Sequence, residues 1–271
     1  MKTRLISAGI GIVLCIVLMI LGEINSIVIR VAIALVTALI CGELLTAKGL
    51  HKNLKISIPC VAFGLLMPLF SGSLLKYIPI YLFAVIFFTI MVAFHDSVKV
   101  EDAMFAFGGT MLLTLSMTSF TLTACNPIGY SSFWIVLTLG VPWLSDSGAY
   151  FAGVFLGKHK LCPEISPKKT VEGAFGGLIS GTLGSLLIGL VFLLIYKDVT
   201  INFIPLLIIG FINPIVSIIG DLSFSVIKRS CGIKDFGSIM PGHGGMLDRF
   251  DSIILCAPLV FIISNLFTVI S

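Results

Sequence analysis

The sequence predicts an all-α polytopic integral membrane protein with about nine transmembrane helices. Hydrophobic residues make up 58% of the 271 residues and charged residues only 11%, whereas soluble chains carry about 25% charged residues. Apolar runs of about 20 residues recur along the whole chain, and each is long enough to cross the roughly 30 Å hydrocarbon layer as a helix. The runs lack the period-two alternation of a membrane β-barrel, so helices are expected to satisfy the backbone hydrogen bonds in lipid.

Nine apolar segments, separated by polar, glycine-containing or proline-containing breaks, are the predicted spans. The third is short and contains Pro59 and Pro68, and the fifth is rich in threonine and serine. The first follows a basic N-terminus, but its apolar part is longer than a signal-peptide core and no small-residue cleavage site follows, so we expect an uncleaved helix. The segments are 5–22, 27–45, 56–71, 78–95, 103–124, 131–153, 171–196, 201–223 and 251–270.

The positive charges predict which side of the membrane each loop faces. Lysine and arginine concentrate on cytoplasmic loops. With nine spans and a cytoplasmic N-terminus, only Arg30, Lys76 and Lys197 of the 17 basic residues lie on or near the other side. Two long cytoplasmic loops result, 154–170 and 224–250, and both are basic and contain glycine.

Small residues recur every four positions along the seventh span. On a helix they form one smooth stripe that permits close backbone contact with a neighbouring helix. The spacing leaves open whether that neighbour belongs to the same chain or to a dimer partner. The stripe residues are Gly173, Gly177, Gly181, Ser185 and Gly189.

Four aspartates, Asp146, Asp221, Asp248 and Asp251, lie near the predicted cytoplasmic ends of three spans. Ionisable residues there are costly and are functional candidates by default, although each could instead pair with a nearby cation and stabilise a helix end. Asp248 and Asp251 are three residues apart on one helix face, where two carboxylates repel unless a proton or a cation intervenes. All-oxygen ligands suit Mg²⁺, and no histidine or cysteine cluster offers a zinc site.

Asp221 begins a polar helix face. Ser225 and Lys228 follow it by four and seven residues, so a carboxylate, a hydroxyl and an ammonium share one side of the helix. In the loop before the seventh span, Thr170 is the predicted N-cap. A helix N-terminus with adjacent lysines is a favourable phosphate-binding site. The lysines of this loop are Lys158, Lys160, Lys168 and Lys169.

The second basic loop contains PGHGG, residues 241–245, which predicts a tight turn whose backbone amides can approach an anion. His243 is interpreted either as a catalytic base or as a hydrogen-bonding residue that orders the loop. Carboxylates for a metal, lysines for phosphates and a position at the cytoplasmic membrane face together indicate phosphoryl or nucleotidyl chemistry on a lipid.

The segment SVIKRSCGIKDFGSIMPGHGGMLDRFD, residues 225–251, resembles the C-terminal signature of the phosphatidate cytidylyltransferases, also called CDP-diacylglycerol synthases. The family pattern is S-x-x-K-R-x4-K-D-x5-P-G-H-G-G-x-x-D-R-x-D, and every defined position is filled. Residues 146–177 resemble the family's second characteristic block. Since the resemblance covers the C-terminal half, we divide the chain into N-terminal membrane helices, 1–130, and a C-terminal catalytic membrane region, 131–271.

The resemblance implies that CTP and phosphatidic acid give CDP-diacylglycerol and pyrophosphate, with Mg²⁺ required and K⁺ described as a second ion. It also implies a polytopic fold of about nine helices, often as a homodimer, in which the two basic loops form a catalytic cleft open to the cytosol and to lipid. The expected partners are CTP, phosphatidic acid and the lipid bilayer, with no nucleic acid. The expected location is a bacterial-type cell membrane, with the active site facing the cytoplasm.

The family's site residues carry over to the matching positions of this chain. Asp221 and Asp248 match the metal-binding aspartates and, together with Ser225 and Lys228, are the predicted catalytic residues. Asp251 is the third predicted metal ligand. The predicted substrate-binding residues are Asp146, Lys168, Lys169, Arg229, Lys234, His243, Gly244 and Arg249.

Two alternative activities differ in what they demand of the site. A CTP-dependent polyprenol or phytol kinase acts on a lipid alcohol, which needs a general base, so His243 or an aspartate would become essential. An anion transporter would need midplane charges and broken helices, whereas the charges here gather at one membrane face. The phosphate monoester of phosphatidic acid is already largely dianionic near neutral pH, since its second pKa is about 6, and it needs no base.

We therefore expect the His243→Ala variant to retain more activity than Asp221→Asn or Asp248→Asn, because the nucleophile does not require deprotonation. The measurement is nucleotide transfer to phosphatidic acid by each purified variant in Mg²⁺. Complete loss of transfer in His243→Ala with the metal still bound would restore the catalytic-base interpretation.

Overall fold

The computed structural model describes residues 2–70, 77–240, 242 and 244–271. Within these residues the chain forms nine α-helices, and each predicted span overlaps one of them. The helices are α1 (Lys2–Ile24), α2 (Ser26–Ala47), α3 (Leu54–Phe70), α4 (Tyr77–Ala93), α5 (Val100–Ala124), α6 (Ser131–Leu156), α7 (Val171–Ile195), α8 (Phe203–Ser230) and α9 (Leu247–Leu266).

The helices are those of a polytopic membrane protein. In the described part of the chain, α2, α5, α7 and α8 are long and apolar enough to cross a membrane by length and composition. Shorter apolar helical stretches occur at Gly11–Ile24, Leu54–Phe70 and Tyr77–Ala93. Nine separate crossings remain a prediction.

A short antiparallel hairpin interrupts the helical pattern between α6 and α7. Its strands are β1 (Lys160–Cys162) and β2 (Ser166–Thr170), and Lys160 lies opposite Thr170. The all-α fold class is confirmed for the described residues, and the hairpin is a short local exception that the sequence did not predict. These strands are short and rich in lysine, serine and proline, so they lack the alternation of apolar and polar residues that identifies a strand in sequence.

The predicted loop 224–250 is wrong at both ends. Helix α8 continues to Ser230, and α9 begins at Leu247. The connection between them, residues 231–246, is called the glycine-containing loop below. The predicted boundaries followed hydropathy, which falls where charged residues begin, whereas the helical backbone continues through Lys228 and Arg229.

The chain divides into two compact units. The first consists of Met1–Cys125 and Ser230–Phe250, and the second of Asn126–Arg229 and Asp251–Ser271. Asp221 and Asp251 therefore belong to the second unit and Asp248 to the first. The predicted division near residue 130 was drawn from motif content and stays a prediction.

Aromatic packing builds the core of the first unit. Phe83 of α4 stacks between Phe63 of α3 and Phe107 of α5, with ring centroids 4.3 Å and 5.4 Å apart. Such offset stacks add about 0.5–1.5 kcal/mol beyond the burial of area. Phe63 and Phe83 are almost fully buried, so the stack joins α3, α4 and α5.

The small-residue stripe of α7 packs within the second unit against two helices of the same chain. A Cβ built at Gly177 would lie 3.1 Å from the Ser145 carbonyl oxygen of α6. Further along the stripe, Ser185 Oγ donates to the Leu206 carbonyl of α8 at 2.9 Å. The predicted close helix packing is confirmed, and the neighbours are α6 and α8.

We expect Gly181→Ala to lower the free energy of unfolding by about 1–3 kcal/mol, because overpacking forces rigid neighbours to shift. A Cβ at Gly181 would lie 2.5 Å from Cγ of the Pro214 ring. Thermal unfolding in detergent measures the effect. The matched control is Gly108→Ala on α5, where a Cβ would meet no atom within 4 Å, so stability should stay equal or rise. Equal melting temperatures for the two variants would contradict the packing argument.

Candidate active site

An ion pair between Lys169 and Asp221 connects two elements of the second unit. Lys169 Nζ of β2 pairs with Asp221 Oδ2 of α8, and the two side chains are 25% and 31% exposed. Asp146 of α6 interacts electrostatically with both groups. Three elements thus bring two carboxylates and one ammonium together, and the formal charge of the group is −1.

The hairpin that carries Lys169 is tied to the start of α7. Thr170 Oγ1 accepts a hydrogen bond from Gly173 N at 3.1 Å, which confirms the predicted N-cap. Val171 N donates to the His159 carbonyl at 2.9 Å. Glu172 adds a second anchor, since its carboxylate accepts from Lys158 N at 3.0 Å and contacts His159 Nδ1 at 2.6 Å.

A second ion pair connects the end of α8 with α9. Lys228 Nζ lies 3.7 Å from Asp251 Oδ2, and both side chains are only 12% exposed. Because α8 is helical through Ser230, the prediction that Asp221, Ser225 and Lys228 share one helix face is confirmed. The sequence analysis considered that each aspartate could instead pair with a nearby cation. Asp251 and Asp221 do form such ion pairs, with Lys228 and Lys169.

Asp248 organises the loop of the first unit that precedes it. Its Oδ2 accepts hydrogen bonds from Phe236 N at 2.8 Å and from Gly245 N at 3.0 Å. Gly244 has φ +89°, and a Cβ there would lie 2.9 Å from the same carboxylate oxygen, so this position requires glycine on two grounds. Met240 N donates to the Gly244 carbonyl at 3.0 Å.

Glu43 of α2 contacts the same loop, and the sequence analysis missed it. Its Oε1 accepts from Met246 N at 2.9 Å and its Oε2 from Leu247 N at 2.7 Å. Glu43 is 6% exposed. The signal was available in the sequence, because an ionisable residue inside an apolar span is a functional candidate by default.

The remaining predicted site residues are exposed or lie outside the described part of the chain. Lys168, Arg229, Lys234 and Arg249 are exposed. His243 and Pro241 lie outside the described residues. The roles assigned to all of these residues stay predictions.

The donor chemistry of the Asp146–Asp221 pair fits Mg²⁺. No group of three or more histidine, cysteine, aspartate or glutamate side chains that could hold a metal occurs within residues 2–70, 77–240, 242 and 244–271. Mg²⁺ does not require such a group, since it usually binds one or two carboxylates and completes its shell with water and substrate phosphates. Asp146 and Asp221 supply the two carboxylates, and their surplus negative charge favours a cation.

Comparison with known proteins places the chain in a family. A family model described as the cytidylyltransferase family matches residues 2–267. The chain belongs to the cytidylyltransferase family. The match runs through both compact units and includes the segments that carry the ion pairs and the glycine-containing loop.

Members of the cytidylyltransferase family with curated names include three bacterial phosphatidate cytidylyltransferases. That of Staphylococcus haemolyticus is 41% identical over 162 residues, covering 60% of this chain and 59% of the relative. That of Staphylococcus saprophyticus is 49% identical over 130 residues, 48% of each chain. That of Bacillus subtilis is 43% identical over 139 residues, 51% of this chain and 50% of the relative. The matches thus span about half of the relatives' length.

We expect Thr170→Ala to lower the free energy of unfolding by about 1 kcal/mol, because the α7 N-terminus of this cytidylyltransferase-family chain would lose its capping hydroxyl. Thr170→Ser keeps the hydroxyl and is the matched control, with stability close to that of the wild type. Thermal unfolding in detergent measures both. Equal losses in the two variants would mean that the methyl group, and not the cap, stabilises this junction.

Proposed function

We propose that the chain is a phosphatidate cytidylyltransferase, which converts CTP and phosphatidic acid to CDP-diacylglycerol and pyrophosphate at the cytoplasmic face of a membrane. The observation that carries the proposal is the group of Asp146, Lys169 and Asp221 in a chain of this family. The curated relatives with up to 49% identity bear the same activity in their names.

The proposed reaction is an in-line displacement. An oxygen of the lipid phosphate attacks the α-phosphorus of CTP, and a new phosphorus–oxygen bond forms. The bond from the α-phosphorus to the bridging oxygen breaks, and pyrophosphate leaves with the electron pair. The main obstacle is the repulsion between a dianion and a polyanion, so positioning and charge stabilisation supply most of the catalysis.

The acidic residues are assigned to the metal. Asp221 is the proposed first ligand, with Asp146 beside it, and Asp248 and Asp251 keep their predicted roles as metal-binding aspartates. Bound Mg²⁺ would neutralise charge on the CTP phosphates and on the departing pyrophosphate, and K⁺ as a second ion is part of the proposal.

The basic residues are assigned to the phosphates. Lys169 sits directly before the N-terminus of α7, where backbone amides and the helix dipole favour an anion, so we assign it to the nucleotide phosphates together with its exposed neighbour Lys168. Lys228 is partly buried beside Asp251 and is assigned to the reacting phosphate. The exposed cations Arg229, Lys234 and Arg249 would draw the two anionic substrates to the site.

Product analysis with two forms of labelled CTP tests the proposed function. Purified protein is incubated with Mg²⁺, with either phosphatidic acid or a polyprenol, and with CTP that is radiolabelled at either the α- or the γ-phosphate. The proposal requires α-label in the lipid and γ-label in released pyrophosphate. Transfer of γ-label to a polyprenol would establish a kinase instead, and substrate flux into proteoliposomes without either product would establish a transporter.

We expect Asp221→Asn to lose nearly all transfer of the α-label, because the variant lacks a carboxylate ligand and the charge that balances Lys169. Rates are measured over a range of Mg²⁺ concentrations. Asp198→Asn, an exposed position of the same unit between α7 and α8, is the control with wild-type rates. Near-normal Mg²⁺-dependent transfer by folded Asp221→Asn would refute the assignment.

A further inference from the structure

We propose that Glu43 is a positioning residue of the active site. Its carboxylate on α2 holds the glycine-containing loop and the first turn of α9, and thereby fixes the position of Asp248, a predicted metal ligand. The proposal rests on the proposed function, because it takes Asp248 as a site residue. Glu43 itself lies in the N-terminal part of the chain, outside both motif blocks.

The two carboxylate oxygens of Glu43 accept from consecutive amides at the start of α9. Met246 N lies 2.9 Å from Oε1, and Leu247 N lies 2.7 Å from Oε2. Amides at a helix N-terminus have no partner within the helix. Glu43 therefore acts as a cap contributed by a residue about 200 positions away in sequence, and its negative charge suits the helix dipole there.

Because Glu43 is buried, its carboxylate depends on these hydrogen bonds to the loop. The residue is 6% exposed on a helix whose only other charged residue is Arg30, and burying a carboxylate without partners is strongly unfavourable. Hydrogen bonds to a charged group are stronger than those between neutral groups. Both the carboxylate and the loop thus depend on the same contact.

Glu43 and Asp248 together bind the loop from two sides. Asp248 accepts from Gly245 N, and Glu43 accepts from the next two amides. Two glycines of the loop leave the space that this requires, since a Cβ built at Gly237 or Gly245 would lie 2.5 Å or 2.6 Å from Glu43 Oε1. A shift of the Glu43 carboxylate would consequently reach Asp248 through residues 245–247.

The decisive variant is Glu43→Gln, which keeps the side-chain volume but replaces one acceptor oxygen with an amide group and removes the charge. We expect faster hydrogen exchange at Met246 and Leu247, a kcat roughly 10–100-fold lower, a higher Mg²⁺ concentration for half-maximal rate, and a KM for CTP within about twofold of wild type. Glu101→Gln, an exposed position in the first turn of α5, is the control with wild-type exchange and kinetics.

Two outcomes overturn the proposal. One is wild-type kcat and Mg²⁺ dependence in Glu43→Gln. The other is a lower melting temperature with unchanged Mg²⁺ dependence, which indicates a role in stability alone. Should Glu43→Gln fail to fold, Glu43→Asp keeps the charge with a shorter reach and is judged by the same readouts. If the wild type shows no cytidylyl transfer, the proposed function fails, whereas exchange at residues 246 and 247 still decides whether Glu43 holds the loop.

Discussion

The Lys169–Asp221 ion pair is the interaction on which the polar arrangement of the second unit depends. It connects β2 with α8, and Asp146 of α6 joins it electrostatically. The Thr170 cap, one residue further on, attaches the same strand to α7. Contacts at the end of β2 thereby connect α6, α7 and α8. The helices can approach one another closely because the stripe residues of α7 are small.

The carboxylates of this apolar chain have structural roles beside the chemical roles proposed for them. Asp221 and Asp251 each have a lysine partner, whereas Asp248 and Glu43 accept from backbone amides. A buried carboxylate is tolerated only with such partners. The proposed active site would therefore be assembled from groups that also stabilise the fold, so substitutions at these positions need stability measurements beside activity measurements.

The sequence predicted the features that depend on local chemistry. Apolar runs located the nine helices of the described residues, the threonine before a helix located the N-cap, and the four-residue spacing located the packing stripe. It missed the hairpin, because short polar strands have no distinctive period, and it misplaced the ends of α8 and α9, because hydropathy marks the lipid and not the end of the helix. Glu43 was missed because its partners are distant in sequence and because the recognisable motifs all lie in the C-terminal half.

The two lysines of β2 illustrate what the unforeseen hairpin adds. Neighbouring residues of a strand point to opposite faces, so Lys169 turns to Asp221 while Lys168 is exposed. The Lys-Lys dipeptide is thus not a uniform positive patch. The strand gives the two charges different surroundings: Lys169 pairs with Asp221, and Lys168 is exposed to solvent. Inserting or deleting one residue in this strand would exchange the faces to which the two lysines point.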